Sequence, residues 1–481
     1  MMQAFTFEEF QNDTKNSDKV SVFKEIPAEK LTPLLIYSLL NKNGESEGVI
    51  FETLHQHEDV GYSFICFDPI ARLVRNYGDV HHPWSELRDL QSRLSFSTRT
   101  EIAPLITHAM GFITYDAIHH FEEICETRVR GADSSLPIFL INFYALSLSF
   151  NHEKQTILIS RLVEVGSDPE QAYNQAQRQI ADTITLLTDS PHDETYSSID
   201  KKISPTIEVD TSDLDFMQMI DKAKRYITQG DAFQIVISRC FKRKYSVSPL
   251  DIYKTLRRVS PAPFMFYFPS GSNVIIGASP ERLVSVDNNK ITVNPIAGTR
   301  KRMKGTSDEL KSAEDLLNDP KERAEHVMLV DLARNDVGSV SVPGSVQLSE
   351  FFKVKHYSHV SHITSTVTGQ LHEKYDALDA FSAVFPAGTL SGAPKIRAMQ
   401  IINELESTDR GLYGGAIFRL DSLGSLESCI AIRMAVLNNG IATVRTGAGI
   451  VFDSDPAAET QETYQKARAM FDAIAQAHGE P

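Results

Sequence analysis

Four glutamates in two matching settings carry the first chemical signal of this sequence. Asp319-Pro320 precedes Glu322 and Glu325, and Asp455-Pro456 precedes Glu459 and Glu462, with Lys466 one turn further. Residues three apart on a helix are surface neighbours, so each stretch presents two carboxylates in one direction. For either helix alone, acids in the first turn need only complement the macrodipole. Should the two helices converge, like charges ~4 Å apart would repel by about 4 kcal/mol at an effective dielectric of 20. A hard divalent cation removes that cost, and Mg²⁺ commonly takes one or two carboxylates together with an anionic ligand.

Other segments add groups suited to holding an anion. In TVRTGAGIVFD, Gly447, Ala448 and Gly449 follow a strand pattern, and the missing side chains let a ligand approach backbone N–H groups, although such glycines also mark plain bulges. Arg433 stands among apolar neighbours in CIAIRMAV, read as mid-strand; its fork suits a carboxylate, an internal ion pair being the plainer alternative. FPAGTLSGAPK, residues 385–395, leads into a helix but lacks the Gly-Lys-Ser/Thr of a nucleotide loop, which leaves Thr389 and loop N–H groups for an anion. His359 and His362 in YSHVSHIT are more simply structural histidines unless partners are found. No G-x-C-x-G or G-x-S-x-G elbow occurs, so nothing in the chain predicts glutamine hydrolysis.

The elements that must position these groups follow from periodicity. Asp168-Pro169 opens a helix with Ala172, Ala176, Ile180 and Leu187 at helical spacing, and Phe216, Met219, Ile220, Ala223 and Ile227 mark another that ends near Gly230. AFQIVISRCF alternates as a strand, with Phe233, Ile235, Ile237 and Phe241 on one face and Gln234 on the other. Further strands are predicted at NVIIGAS, KITVNPI, YGGAIF, SCIAIRMAV and ATVRTGAGIVF, and helices at 320–334, 394–405 and 456–477. Several strands follow one another directly, which predicts an α+β fold with antiparallel sheets and no Rossmann-type alternation. The polar stretch 189–213 divides the chain into an N-terminal region, 1–188, and a second domain, 214–476. A net charge of −15 without a basic stripe argues against nucleic acid and anionic membranes as partners. Four scattered cysteines (Cys66, Cys125, Cys240, Cys429), no apolar leader and no long apolar run predict a reduced, soluble, cytoplasmic protein.

Seven segments together, PIAGTR, DPKERAEHVMLVDLARND, YSHVSHI, FPAGTLSGAPKIRAM, YGGA, CIAIR and GAGIVFDSDPAAETQET, closely resemble the chorismate-utilising enzymes in order and spacing through roughly residues 213–475. The resemblance implies a large α+β fold of two packed antiparallel sheets with flanking helices. It implies Mg²⁺ as cofactor on Glu325 and Glu462, supported by Glu322 and Glu459. It implies chorismate held by Gly298, Thr299, Tyr413, Arg433, Lys466 and the Gly447-Ala448-Gly449 backbone. His362 would help the ring hydroxyl leave, with Thr389 nearby.

Two positions separate branches of the family. Enzymes that make aminodeoxychorismate carry a lysine where this chain has Ala297, and water-using isochorismate and salicylate synthases carry a lysine base where it has Gln234. An amide cannot serve as that base near neutral pH. Both choices resemble the large subunits of anthranilate synthases, implying addition of ammonia at ring C2, loss of pyruvate, and a glutamine amidotransferase partner supplying the ammonia. A phenazine-type 2-amino-2-deoxyisochorismate synthase, stopping before pyruvate loss, and a non-catalytic sensor of chorismate or tryptophan are the alternatives. Residues 50–69 and 259–268 resemble the tryptophan-binding segments of the same subunits, which places Thr53, Pro263, Phe264 and Met265 along an inhibitor. Thr53, Ser260, Ala262 and Phe264 depart from that pattern, and weaker inhibition is the expectation.

Overall fold

The computed structural model describes residues 5–41, 47–54, 61–79, 81–99, 101–122, 135–189, 206–301, 313–356 and 360–479. His359, Cys125 and most of the 189–213 stretch lie outside them, as do the side chains of Thr299 and Arg300.

Every pairing between named strands is antiparallel, as expected from strands that follow one another directly, and helices flank the strands. The pairings join strands from both sides of the polar stretch into one ladder. Val49–Thr53 lies between Tyr62–Arg75 and Phe264–Ser270. Thr107–Ile113 lies between Phe139–Asn151 and Ala416–Asp421. In one direction the ladder continues through Asn273–Ser279, Met434–Asn438 and Ile441–Ile450 to Gln234–Lys244. In the other it continues through Leu426–Ile430, Arg282–Asp287 and Lys290–Val293 to Val360–Gln370, which also carries Ile296–Lys301.

The predicted helices form where caps and periodicity placed them, although the one expected over 320–334 runs on to Val340. Asp319 and Asp455 cap Pro320–Val340 and Pro456–Ala477, their side chains accepting first-turn N–H groups. Pro169–Asp189 buries Ala176, Ile180 and Leu187. Asp213–Thr228 buries Phe216, Ile220 and Ala223, and Gly230 just beyond it has a φ of +87°.

Two readings needed correction. Gln234–Lys244 is buried on both faces over most of its length, because it lies inside the ladder; Phe233, expected to share its apolar face, precedes the strand and is 73% exposed. Arg433 is not mid-strand. It falls in the break between Leu426–Ile430 and Met434–Asn438 with φ of +51°, a left-handed conformation that a continuous strand cannot contain. Cys66, Cys240 and Cys429 are buried free thiols. Among the described residues no helix is long and apolar enough to cross a membrane.

Candidate active site

The site forms where the two ends of the ladder are bridged by a helix. At one end, Gln234–Lys244 pairs with Ile441–Ile450 so that Val236 faces Gly449 and Ser238 faces Gly447. A Cβ at Gly449 would stand 2.9 Å from Nε2 of Gln234, and one at Gly447 would stand 2.8 Å from the Tyr413 hydroxyl. The two glycines therefore leave the space in which the Gln234 amide and the Tyr413 phenol lie across the strand. At the other end, the Gly298 carbonyl accepts from Nδ1 of His362 at 2.7 Å, and Ala297 pairs with Ile363.

Pro320–Val340 joins the two ends. Nε2 of Gln234 donates to Oε1 of Glu325 at 3.0 Å, and a Cβ on Gly298, whose φ is +64°, would approach Oε2 of Glu322 to 3.1 Å. Glu322 and Glu325 are thus aimed at the two expected substrate-holding segments. Pro456–Ala477 supplies the remaining acids. Glu462 pairs with Lys466 at 2.6 Å, and Lys466 also donates to the Gly447 carbonyl at 2.9 Å. Burial raises the Glu459 carboxyl, the Ser454 hydrogen bond opposes the rise, and the charge of Glu462 adds to it; Lys321 acts on Glu459 too, which brings the first turns of the two acidic helices together.

Several groups hold defined protonation states. A carbonyl can only accept, so Nδ1 of His362 carries the proton and Nε2 the lone pair. Burial lowers the His362 pKa, and the field of Arg433 reinforces this against the Gly298 bond, so the ring is neutral near pH 7. Burial pushes the Tyr413 phenol up to about 12, so it remains a donor. Arg433 is within electrostatic reach of both Tyr413 and Glu462.

Sequence reasoning missed Glu281. Its Oε1 accepts from the Thr389 hydroxyl at 2.9 Å, and burial pushes its carboxyl up to about 7 against the opposing effects of Thr389 and Lys466. A carboxylic acid poised near neutrality is a proton donor in waiting. In the sequence it is one glutamate in SPERL, and its spatial partner lies 108 positions away.

The donors fit a hard divalent cation in type, being carboxylate oxygens, and in charge, since Glu462 helps to lift Glu459. They are not drawn into one cluster: Glu325 is engaged by Gln234 and Glu462 by Lys466, and among the described residues no three His, Cys, Asp or Glu side chains are gathered closely enough to hold a metal.

The segments expected to bind an inhibitor do meet. Thr53 pairs with Phe264 and Glu52 with Met265, and the Leu54 N–H donates to the Pro263 carbonyl at 2.7 Å. Phe264 and Met265 are wholly buried, and among the described residues the Thr53 hydroxyl reaches only the Tyr62 carbonyl, at 3.5 Å. Beneath them Glu52 is fully buried, yet its pKa is lowered: burial alone would raise it, and Arg257 with the hydroxyls of Ser63 and Tyr253 outweighs that.

Comparison with known proteins gives a consistent result. Residues 47–472 match the family model described as chorismate binding enzyme. Anthranilate synthase component 1 of Aquifex aeolicus (strain VF5) is 35% identical over 98% of this chain and 97% of its own length. The protein of the same name from Acetivibrio thermocellus is 42% identical over 77% of this chain and 75% of its own. The crystal structure of anthranilate synthase component I from Streptococcus pneumoniae TIGR4 superposes with a TM-score of 0.75 at 33% identity, covering 93% of this chain and 99% of that one. MenF, the menaquinone-specific isochorismate synthase of Escherichia coli, shares the fold at a TM-score of 0.71, with 18% identity over 97% of this chain and 98% of that one.

Proposed function

Since the chain belongs to the chorismate-binding enzymes, and within them to the anthranilate synthase component 1 family, we propose that it converts chorismate and ammonia to anthranilate and pyruvate. The observation that carries this reading is the pairing of a nucleophile position filled by an amide, Gln234 beside Glu325, with a buried carboxyl pushed up to about 7, Glu281 beside Thr389. No lysine base stands at Gln234 to activate water, and none stands at Ala297 to attack the ring.

Arg433, Lys466 and the Tyr413 hydroxyl would hold the substrate's carboxylates, two aimed cations compensating for an acidic chain. Glu281 would give its proton to the ring hydroxyl as ammonia forms the C–N bond at C2, so that water departs. Neutral His362, expected from the resemblance to help the ring hydroxyl leave, has its lone pair on Nε2 and is suited instead to take a proton afterwards. Removal of the C2 proton as the enolpyruvyl C–O bond breaks gives pyruvate and restores aromaticity. Glu325 and Glu462, with Glu322 and Glu459, would hold Mg²⁺, which when bound would neutralise the substrate's ring carboxylate. Ammonia would come from a glutamine amidotransferase subunit, since the chain has no glutaminase nucleophile elbow. Tryptophan would act as inhibitor at the junction of Thr53 with Pro263, Phe264 and Met265.

Product identification by mass, with chorismate, Mg²⁺ and ammonium supplied to the pure chain, tests the reading. Anthranilate with pyruvate is expected, with no product after chelation and none from glutamine until the partner is added. An aminated ring that retains its enolpyruvyl group would assign the phenazine-type activity instead, and no turnover under any condition would favour a sensor.

A further inference from the structure

Behind the site, Arg410 is almost wholly buried, with 5% of its surface exposed. Its guanidinium makes four hydrogen bonds. Nε and Nη2 grip the Glu406 carboxylate at 3.0 and 2.7 Å. Nη1 donates to the Leu390 carbonyl and Nη2 to the Val236 carbonyl, both at 2.6 Å. The same cation lies 4.5 Å from the centre of the Tyr115 ring and 5.8 Å from that of Tyr413. Glu406 in turn accepts from the backbone N–H and hydroxyl of Ser238, at 2.7 and 2.9 Å.

An internal ion pair with Glu406 would by itself account for a buried arginine. It does not account for where the other bonds go. Leu390 adjoins Thr389, which holds Glu281. Val236 faces Gly449 and stands two residues from Gln234. Tyr413 bears the phenol that lies against Gly447. One rigid, planar donor therefore touches each of three separate segments that carry candidate site residues, and only a guanidinium has the fork to do so.

We propose that Arg410 is a positioning residue, a clamp that fixes Thr389, the Gln234–Gly449 strand pair and Tyr413 relative to one another without touching substrate. The proposal rests on the reaction assigned above, and its test separates the two. Among the described residues, the groups acting on Glu281 are Thr389 from the Gly388–Ser391 turn and Lys466 from Pro456–Ala477. Displacement of Thr389 moves Glu281 upward, because the Thr389 bond holds that carboxyl down.

Arg410→Lys, Thr389→Val and wild type are compared for kcat, KM for chorismate, the pH dependence of kcat and thermal midpoint, with Mg²⁺ and ammonium supplied. For Arg410→Lys, kcat should fall about 10- to 100-fold with KM changed less than about threefold, the pattern of lost transition-state alignment. The falling alkaline limb should move to higher pH, in the same direction as in Thr389→Val. A lower thermal midpoint with wild-type kcat per folded molecule and an unmoved limb would overturn the proposal, leaving Arg410 a stabiliser of the fold only. Should Thr389→Val leave the limb in place, the acid role of Glu281 fails, and the clamp stands or falls on the kcat and KM split. If Arg410→Lys does not fold, Glu406→Gln loosens the same guanidinium without removing it and is judged by the same readouts.

Discussion

Glu281 sets a trade-off between stability and chemistry at a single carboxyl. Its folded pKa, about 7, lies above the ordinary 4.5. A carboxyl raised in this way stabilises the fold below its unfolded pKa and loses that contribution as pH rises through the folded one. Glu281→Gln should therefore gain on wild type between pH 4.5 and 7. The gain has an upper bound of about 3 kcal/mol at pH 8, less because the side chain keeps a partial opening to solvent. The same variant should lose at least about 100-fold in kcat, since an amide has no proton to give. Wild-type activity should decline above about pH 7; melting curves and rate profiles over pH 5–9 check both statements. Gln234→Lys makes a second case. Glu325, which receives the Gln234 amide, would pair with the new ammonium and hold it charged, and a charged lysine is no base. Ammonia-dependent anthranilate formation should fall steeply, with water-derived product emerging only at high pH; mass analysis of products at pH 7 and 9.5 decides it. The acidic pairs and their capped helices were legible in the sequence because their spacing is local. Glu281 was not, since its desolvation and its bond to Thr389 exist only once distant segments meet.

At the level of elements, the two glycines of the Ile441–Ile450 strand have different tasks. A Cβ at Gly449 would press on the far end of the Gln234 amide, a flexible group, at 2.9 Å, whereas one at Gly447 would lie 2.5 Å from the Ile237 carbonyl, which is backbone. Gly449→Ala should leave the melting midpoint nearly unchanged while displacing Gln234 and removing most activity. Gly447→Ala should cost stability as well, about 2 kcal/mol, because the strand pair must shift. Denaturant midpoints measured beside kcat separate the two. The pairing of Val49–Thr53 with Phe264–Ser270 brings the two proposed tryptophan-binding segments together and shows Thr53 turned toward the Tyr62 carbonyl. Tryptophan should inhibit competitively in effect, since chorismate and tryptophan must weaken each other reciprocally. Thr53→Ala should alter the inhibition constant by less than about threefold, because a bond this long is weak. Absence of tryptophan binding by calorimetry at millimolar concentration would reduce the junction to packing. Strand positions were readable from alternation, but the break at Arg433 was not: apolar neighbours on both sides mimic a continuous strand, and only the left-handed backbone at that residue interrupts it.

For the molecule as a whole, the ladder matters more than any linker. Strands from before the polar stretch pair with strands from after it at two separate places, Val49–Thr53 with Phe264–Ser270 and Thr107–Ile113 with Ala416–Asp421. Heating should give one transition at every wavelength, with calorimetric and van't Hoff enthalpies in agreement; two resolved transitions would mean that the halves are energetically separate. The same pairing has a history in time. A ribosome adding about 5–20 residues per second needs about 15–60 seconds to pass from residue 113 to residue 416. Throughout that interval Thr107–Ile113, buried along its whole length in the finished protein, has emerged without the neighbour that will cover its free edge. Such an edge is a template for pairing with another chain. The nascent protein thus passes through a period of vulnerability whose length is set by the position of residue 416, and whatever shelters it then must act before the last strands have been synthesised.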